Sequence, residues 1–112
     1  MSCWGVRPFE SDSAADWFGD LWDEFPVPAK VEETLNRDLE DNHEEIRAAV
    51  HVLLQLGERF IWPLDSIDRQ CELAAQRLEE MKAMEEYSGA DFQAQLNKEI
   101  DILRSRISKK KA

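Results

Sequence analysis

Apolar residues recur at spacings of three and four along nearly the whole chain, in runs interrupted by Pro26 and Pro28, by Pro63 and by Ser88-Gly89. That spacing is the period of amphipathic helices, and no run alternates with period two far enough to make a strand. The pattern predicts an all-α fold of about five helices. At 112 residues and 43% hydrophobic content, the chain is long enough to bury one core without a disulfide framework. We therefore read one compact helical domain over residues 1–108, with 1–11 an irregular lead-in, and a basic tail over 109–112.

The first helix is expected to open at Ser13, which forms a capping box with Asp16, or at Asp12 one position earlier. Ala14, Trp17, Phe18, Leu21, Trp22 and Phe25 then give one broad aromatic face, with acids opposite. Gly19 inside that pattern suggests close packing or a bend. Pro28 suits the first turn of a second helix carrying a narrow stripe of Val31, Leu35 and Leu39. Asn42 is placed to cap a third, whose apolar positions from Ile46 to Phe60 cover so much of its circumference that it is expected to be central, ending at Pro63. A fourth opens at Asp65 or Ser66 and steps through Ile67, Cys71, Ala74, Leu78 and Met81 to a glycine stop at Ser88-Gly89. Phe92, Leu96, Ile100, Leu103 and Ile107 mark a fifth. The short connection makes the last two an antiparallel hairpin.

Charge is distributed unevenly. The formal total is −10, and residues 1–45 hold 13 acids against Arg7, Lys30 and Arg37, while residues 46–112 hold 11 acids and 11 bases. An acidic half of this kind repels nucleic acid, so no direct nucleic-acid partner is expected. It attracts a basic protein surface.

Cys3 and Cys71 lack any CxxC spacing, and the opening residues do not form a signal peptide. The longest apolar region, 46–62, is broken by Arg47, His51, Gln55, Glu58 and Arg59, so no membrane span is expected and the reading is cytoplasmic. His43 stands among Glu40, Asp41, Glu44 and Glu45, but the spacing matches neither HExxH nor a calcium loop. Neither a phosphate loop nor a nucleophile elbow is present, so neither enzyme activity nor a cofactor is expected.

The run Trp4-Gly5-Val6-Arg7-Pro8-Phe9-Glu10-Ser11-Asp12-Ser13-Ala14-Ala15-Asp16-Trp17 resembles the opening of an uncharacterised bacterial family of small domains. Members begin with a Trp-Gly pair followed by Pro-Phe, an acid, a second Asp, Ala and an Asp-aromatic helix start. Trp4, Gly5, Pro8, Phe9, Asp12, Ala15 and Asp16 stand at the matching positions, while Ser2 and Cys3 and the lysine-rich end depart from the pattern. The resemblance implies a domain without an established activity and transfers no catalytic residue.

The functional expectation is an acidic helical protein-binding module. Its most concrete form is a bacterial immunity protein or antitoxin masking a basic toxin. The candidate partner-binding residues are Trp4, Asp12, Asp16, Asp20, Asp23, Glu32, Glu33, Asp38, Glu40 and Asp41. The alternative is a self-associating scaffold in which the hairpin of 67–107 forms a homo-oligomer.

Overall fold

The structure, a computed structural model, describes residues 5–107, so Trp4, Cys3 and the basic tail of 109–112 lie outside the described residues. Five α-helices follow one another: α1 (Asp12–Glu24), α2 (Val27–Leu35), α3 (Leu39–Leu56), α4 (Leu64–Met81) and α5 (Ala90–Ser105), with a 3-10 turn at Glu85–Tyr87 before α5. The fold is all-α and forms a single domain.

The helix starts follow local chemistry, with some displacement from expectation. Ser11, rather than Ser13 or Asp12, caps α1: its backbone is extended and its hydroxyl accepts from the Ala14 N–H at 3.2 Å. Residues 5–10 ahead of it form no helix, and Arg7 and Glu10 close a turn there through a 3.0 Å ion pair. Pro28 sits in the first turn of α2, where a missing N–H costs nothing. Leu39 does not continue that helix. Asp38 ends the connection and starts α3 by accepting from the Asp41 N–H at 3.0 Å, and Asn42 then leaves helical geometry at φ −130° and ψ 20°. The apolar stripe that spans 31–39 in sequence is thus divided between two helices.

α3 also stops earlier than its hydrophobic pattern, at Leu56. Gly57 caps it, and a Cβ there would run into the Leu53 carbonyl and side chain, so only glycine fits this close approach. The carbonyls of Leu53 and Gly57 accept from the Arg106 guanidinium at 3.0 and 3.3 Å, a cationic cap delivered from the end of α5. Residues 58–62 turn the chain instead of extending the helix, with Phe60 in the left-handed region at φ 73°. At the other boundary, α4 ends at Met81, well before Ser88, and Gly89 precedes α5 in extended geometry with no need of the left-handed conformation.

The core is built chiefly around α4, which buries Ser66, Ile67, Gln70, Cys71, Ala74, Ala75, Leu78 and Met81, against four buried residues on α3. Alternating pairs at this spacing make a stripe wide enough to face α2, α3 and α5 together. The small Cys71, Ala74 and Ala75 let these neighbours approach closely. Val31 and Leu35 of α2, Ile46, Val50 and Leu53 of α3, and Leu96, Ile100 and Leu103 of α5 close around it. The α4–α5 pair is antiparallel: Gln93 donates to the Lys82 carbonyl at 3.0 Å, and Arg104 reaches Glu79 at 3.1 Å. No described helix is long and apolar enough to cross a membrane.

α1 differs from the others in contributing no buried residue. Its aromatic face packs only in part, with Phe18, Leu21 and Trp22 half-buried and Trp17 and Phe25 exposed. Gly19 is exposed, and a Cβ added there would meet nothing within 4 Å, so its glycine answers to no close packing. Gly19→Ala is accordingly expected to stabilise the protein by roughly 0.5–1 kcal/mol, the ordinary helix-propensity difference, read as a rise in thermal midpoint.

Candidate functional site

Asp12, Asp16, Asp20 and Asp23 recur at i, i+4, i+8 and i+11 and form one exposed stripe along α1, with Trp17 beside it at 59% exposure. Asp16, Asp20 and Asp23 make no ion pair among the described residues. The opposite side of α1 is pinned by Trp22, whose indole N–H donates to the Ile61 carbonyl at 2.6 Å and whose ring meets Trp62 edge-on at 5.4 Å.

A cleft of about 550 Å³ lies between the end of α1, α2 and the start of α4, walled by Trp22, Pro26, Pro28 and Pro63. It brings together Asp23, Glu32 and Glu33. Asp20 and Asp23 also border a second hollow of about 430 Å³ over Trp62, Pro63 and Leu64, the last of these 58% exposed. The remaining predicted acids sit elsewhere: Asp38 caps α3, and Glu40 and Asp41 are exposed in its first turn. Asp12 stands at the first turn of α1.

Two of the ten predicted residues carry ion pairs that hold the molecule itself. Glu32 receives the Arg69 guanidinium through 2.7 and 3.3 Å hydrogen bonds and the Gln70 amide at 3.0 Å. The Arg69 bonds, then the Gln70 bond, hold its carboxyl below the usual range. Glu33 is gripped by Arg37 at 2.9 and 3.0 Å and by Lys30 at 3.3 Å, which brings its carboxyl down to about 2.

The floor of the cleft is a buried polar node absent from the sequence reading. Gln70 is 1% exposed; its oxygen accepts from the Trp62 indole N–H at 2.9 Å, and its amide donates to the Pro28 carbonyl at 3.1 Å as well as to Glu32. A glutamine flanked by Ile67, Cys71 and Ala74 on an apolar seam was the available signal. A second unforeseen cluster joins His43, Arg47, Tyr87 and Glu99 at the other end of the molecule. Among the described residues, no group of three or more His, Cys, Asp or Glu converges as a metal ion requires. Burial pushes the Cys71 thiol up to about 11, which keeps it protonated and unreactive at neutral pH.

Two outcomes follow from these contacts. Gln70→Leu keeps the volume but leaves the Trp62 N–H and the Pro28 carbonyl buried without their partner, and should lower the free energy of unfolding by about 1–3 kcal/mol in a urea titration. Glu33 has a depressed folded value, so its stabilisation is fully present above its ordinary value of 4.5 and is lost as pH falls through about 2. Stability curves of the wild type and Glu33→Gln should therefore be farthest apart above pH 4.5 and converge towards pH 2.

The resemblance of the opening run to a domain family without established activity is borne out: the model of a family described as a domain of unknown function (DUF4259) matches residues 2–56. That span takes in α1 and α2 and ends at Leu56, the last residue of α3. No curated protein and no solved structure matches the chain.

Proposed function

We propose that this chain is an acidic protein-binding module that engages a basic surface of another protein through α1. The observation that carries the reading is a helix with no buried residue that aligns Asp12, Asp16, Asp20 and Asp23 beside an exposed Trp17. A helix held at one edge and charged along the other contributes little to the core, and its exposed indole supplies the apolar anchor that protein interfaces use. The acids steer a basic partner towards that anchor and raise the rate of encounter. Asp23 extends the same surface into the cleft against α2, where Glu32 and Glu33 continue the acidic lining. In its most concrete form the partner is a bacterial toxin whose basic surface the module masks, as an immunity protein or antitoxin does.

The test compares wild type with Asp16→Lys/Asp20→Lys/Asp23→Lys, all at exposed positions, in affinity capture at low and high salt. The expected result is a basic protein held in fixed stoichiometry at low salt, released at high salt, and bound by the reversed variant at a rate lower by about tenfold or more. A captured protein that binds both forms equally would remove α1 from the interaction. Recovery of the chain alone as a defined oligomer, by light scattering, would replace this reading with the scaffold. If the partner is a toxin, adding the module silences its activity, and the reversed variant does not.

A further inference from the structure

The cluster at the far end of the molecule from α1 has the composition of a receptor for an organic cation. Tyr87, in the 3-10 turn, is 5% exposed and stands edge-on between two rings, Phe92 of α5 at 5.1 Å and His43 of α3 at 5.4 Å. Its hydroxyl lies 2.7 Å from His43 Nδ1. Burial pushes the Tyr87 hydroxyl above its ordinary value, so it keeps its proton at neutral pH. The rings of Tyr87 and Phe92 line a cavity of about 470 Å³, bordered by Glu44 on α3 and Glu86 beside Tyr87.

The charge balance of this cavity decides what it can hold. Arg47 also borders it: its Nη2 donates to Glu99 at 3.0 Å, Gln95 supports the same carboxylate oxygen at 2.7 Å, its guanidinium carbon lies 5.8 Å from the centre of the Tyr87 ring, and its Nε is buried without a hydrogen-bond partner among the described residues. Glu99 is 8% exposed, so that pair is compensated within the protein. Glu44 and Glu86 have no such partner among the described residues. Both raise the proton affinity of Tyr87, against the opposing effect of Arg47, which places them within electrostatic reach of its ring. An anion would meet two uncompensated carboxylates here. A cation would meet those carboxylates together with the exposed Phe92 ring, the combination that binds ammonium and guanidinium groups.

We propose that the cavity of Glu44, Glu86, Tyr87 and Phe92 binds an organic cation of the alkylammonium or guanidinium class. The carboxylates neutralise the charged head, and the two rings contact its alkyl stem. The site uses α3, the 3-10 turn and α5, and so stands apart from the α1 surface and its partner.

Tyr87 is the chain's one tyrosine, so ring-labelled tyrosine gives a single NMR signal that reports this site alone. The probe is n-butylguanidinium chloride, with sodium chloride at equal ionic strength as the blank. The expected result is a saturable shift of the Tyr87 signal, absent in the blank. Affinity should fall by about tenfold or more in Glu44→Gln/Glu86→Gln and by about threefold in Phe92→Ala. Both acids are exposed, and a urea midpoint checks that the double variant is folded. A shift that never saturates, or a saturable one unchanged in the double variant, overturns the proposal. A second arm uses a blocked Gly-Arg-Gly peptide: binding at least as tight as the free probe identifies a protein side chain as the ligand, and weaker binding identifies a free small cation.

Discussion

A buried amide stripped of its partners costs more than an exposed ion pair contributes, and Gln70 is the amide on which four parts of this molecule converge. Its two ends join α4 to the Pro28 carbonyl at the start of α2 and to the indole of Trp62 in the turn after α3. Through Glu32 it extends to Arg69, and through Trp62 it reaches Trp22 and so α1. Hydrophobic contact alone lets helices slide along one another, because apolar surface is not directional. A satisfied amide with three named partners does not slide. The node sets the register of α2 against α4 and gives the turn a fixed place, and the cleft beside it inherits its shape from that register.

The same node divides the acidic residues into two populations. Those on α2 face the basic side chains of α2 itself, of the segment that follows it and of α4: Glu32 ties α2 to Arg69 and Gln70 of α4, and Glu33 is paired locally with Lys30 and Arg37. Those on α1 are exposed along a helix attached through the Trp22 edge, with Asp20 and Asp23 at the rims of the hollows beside it. Part of the excess negative charge of the N-terminal half therefore sits on α1, where Asp16, Asp20 and Asp23 make no ion pair among the described residues. The proposed binding surface follows from this separation: these three acids stand on the one helix that buries no residue.

The sequence made the helices themselves visible, because each carries its own apolar period, and it made the C-terminal hairpin visible because a short connection leaves two helices no other arrangement. Boundaries were harder for a specific reason. Val31, Leu35 and Leu39 keep helical spacing across the break at Asp38, and Phe60 and Ile61 extend the apolar run of α3 past Gly57, so periodicity continued where the backbone did not. At Gly57 the deciding factor was a close approach to Leu53, and the carbonyls freed there are capped by Arg106, 49 and 53 positions away. The nine predicted acids were legible as charge, but their commitments were not. The partner of Glu32 lies 37 positions along the chain, on a helix whose rotation is set by the core. Gln70 and Tyr87 escaped notice because a single polar residue on an apolar seam has no period to betray it.

The matched family span closes at Leu56, yet the buried face of α2 and α3 has no cover within that span. Val31 and Leu35 of α2 and Ile46, Val50 and Leu53 of α3 belong to one cluster with Ile67, Cys71, Ala74 and Leu78 of α4, and α1 itself buries nothing. Residues 2–56 alone would expose that face to water and would also lose Gln70, Arg69 and the Arg106 cap. The segment that carries most of the charge is thus held in shape by a nearly neutral one. With 11 acids and 10 bases, residues 57–112 can pack against an acidic neighbour while adding little to its self-repulsion, and Arg69, Arg77 and Arg106 reach across to acids and carbonyls of the first segment. A nearly neutral scaffold supporting a charged, loosely anchored helix keeps the core independent of whatever meets the acids. Substitutions at the exposed positions of α1 can therefore probe the proposed binding without altering the fold, and that independence is what lets the two be measured separately.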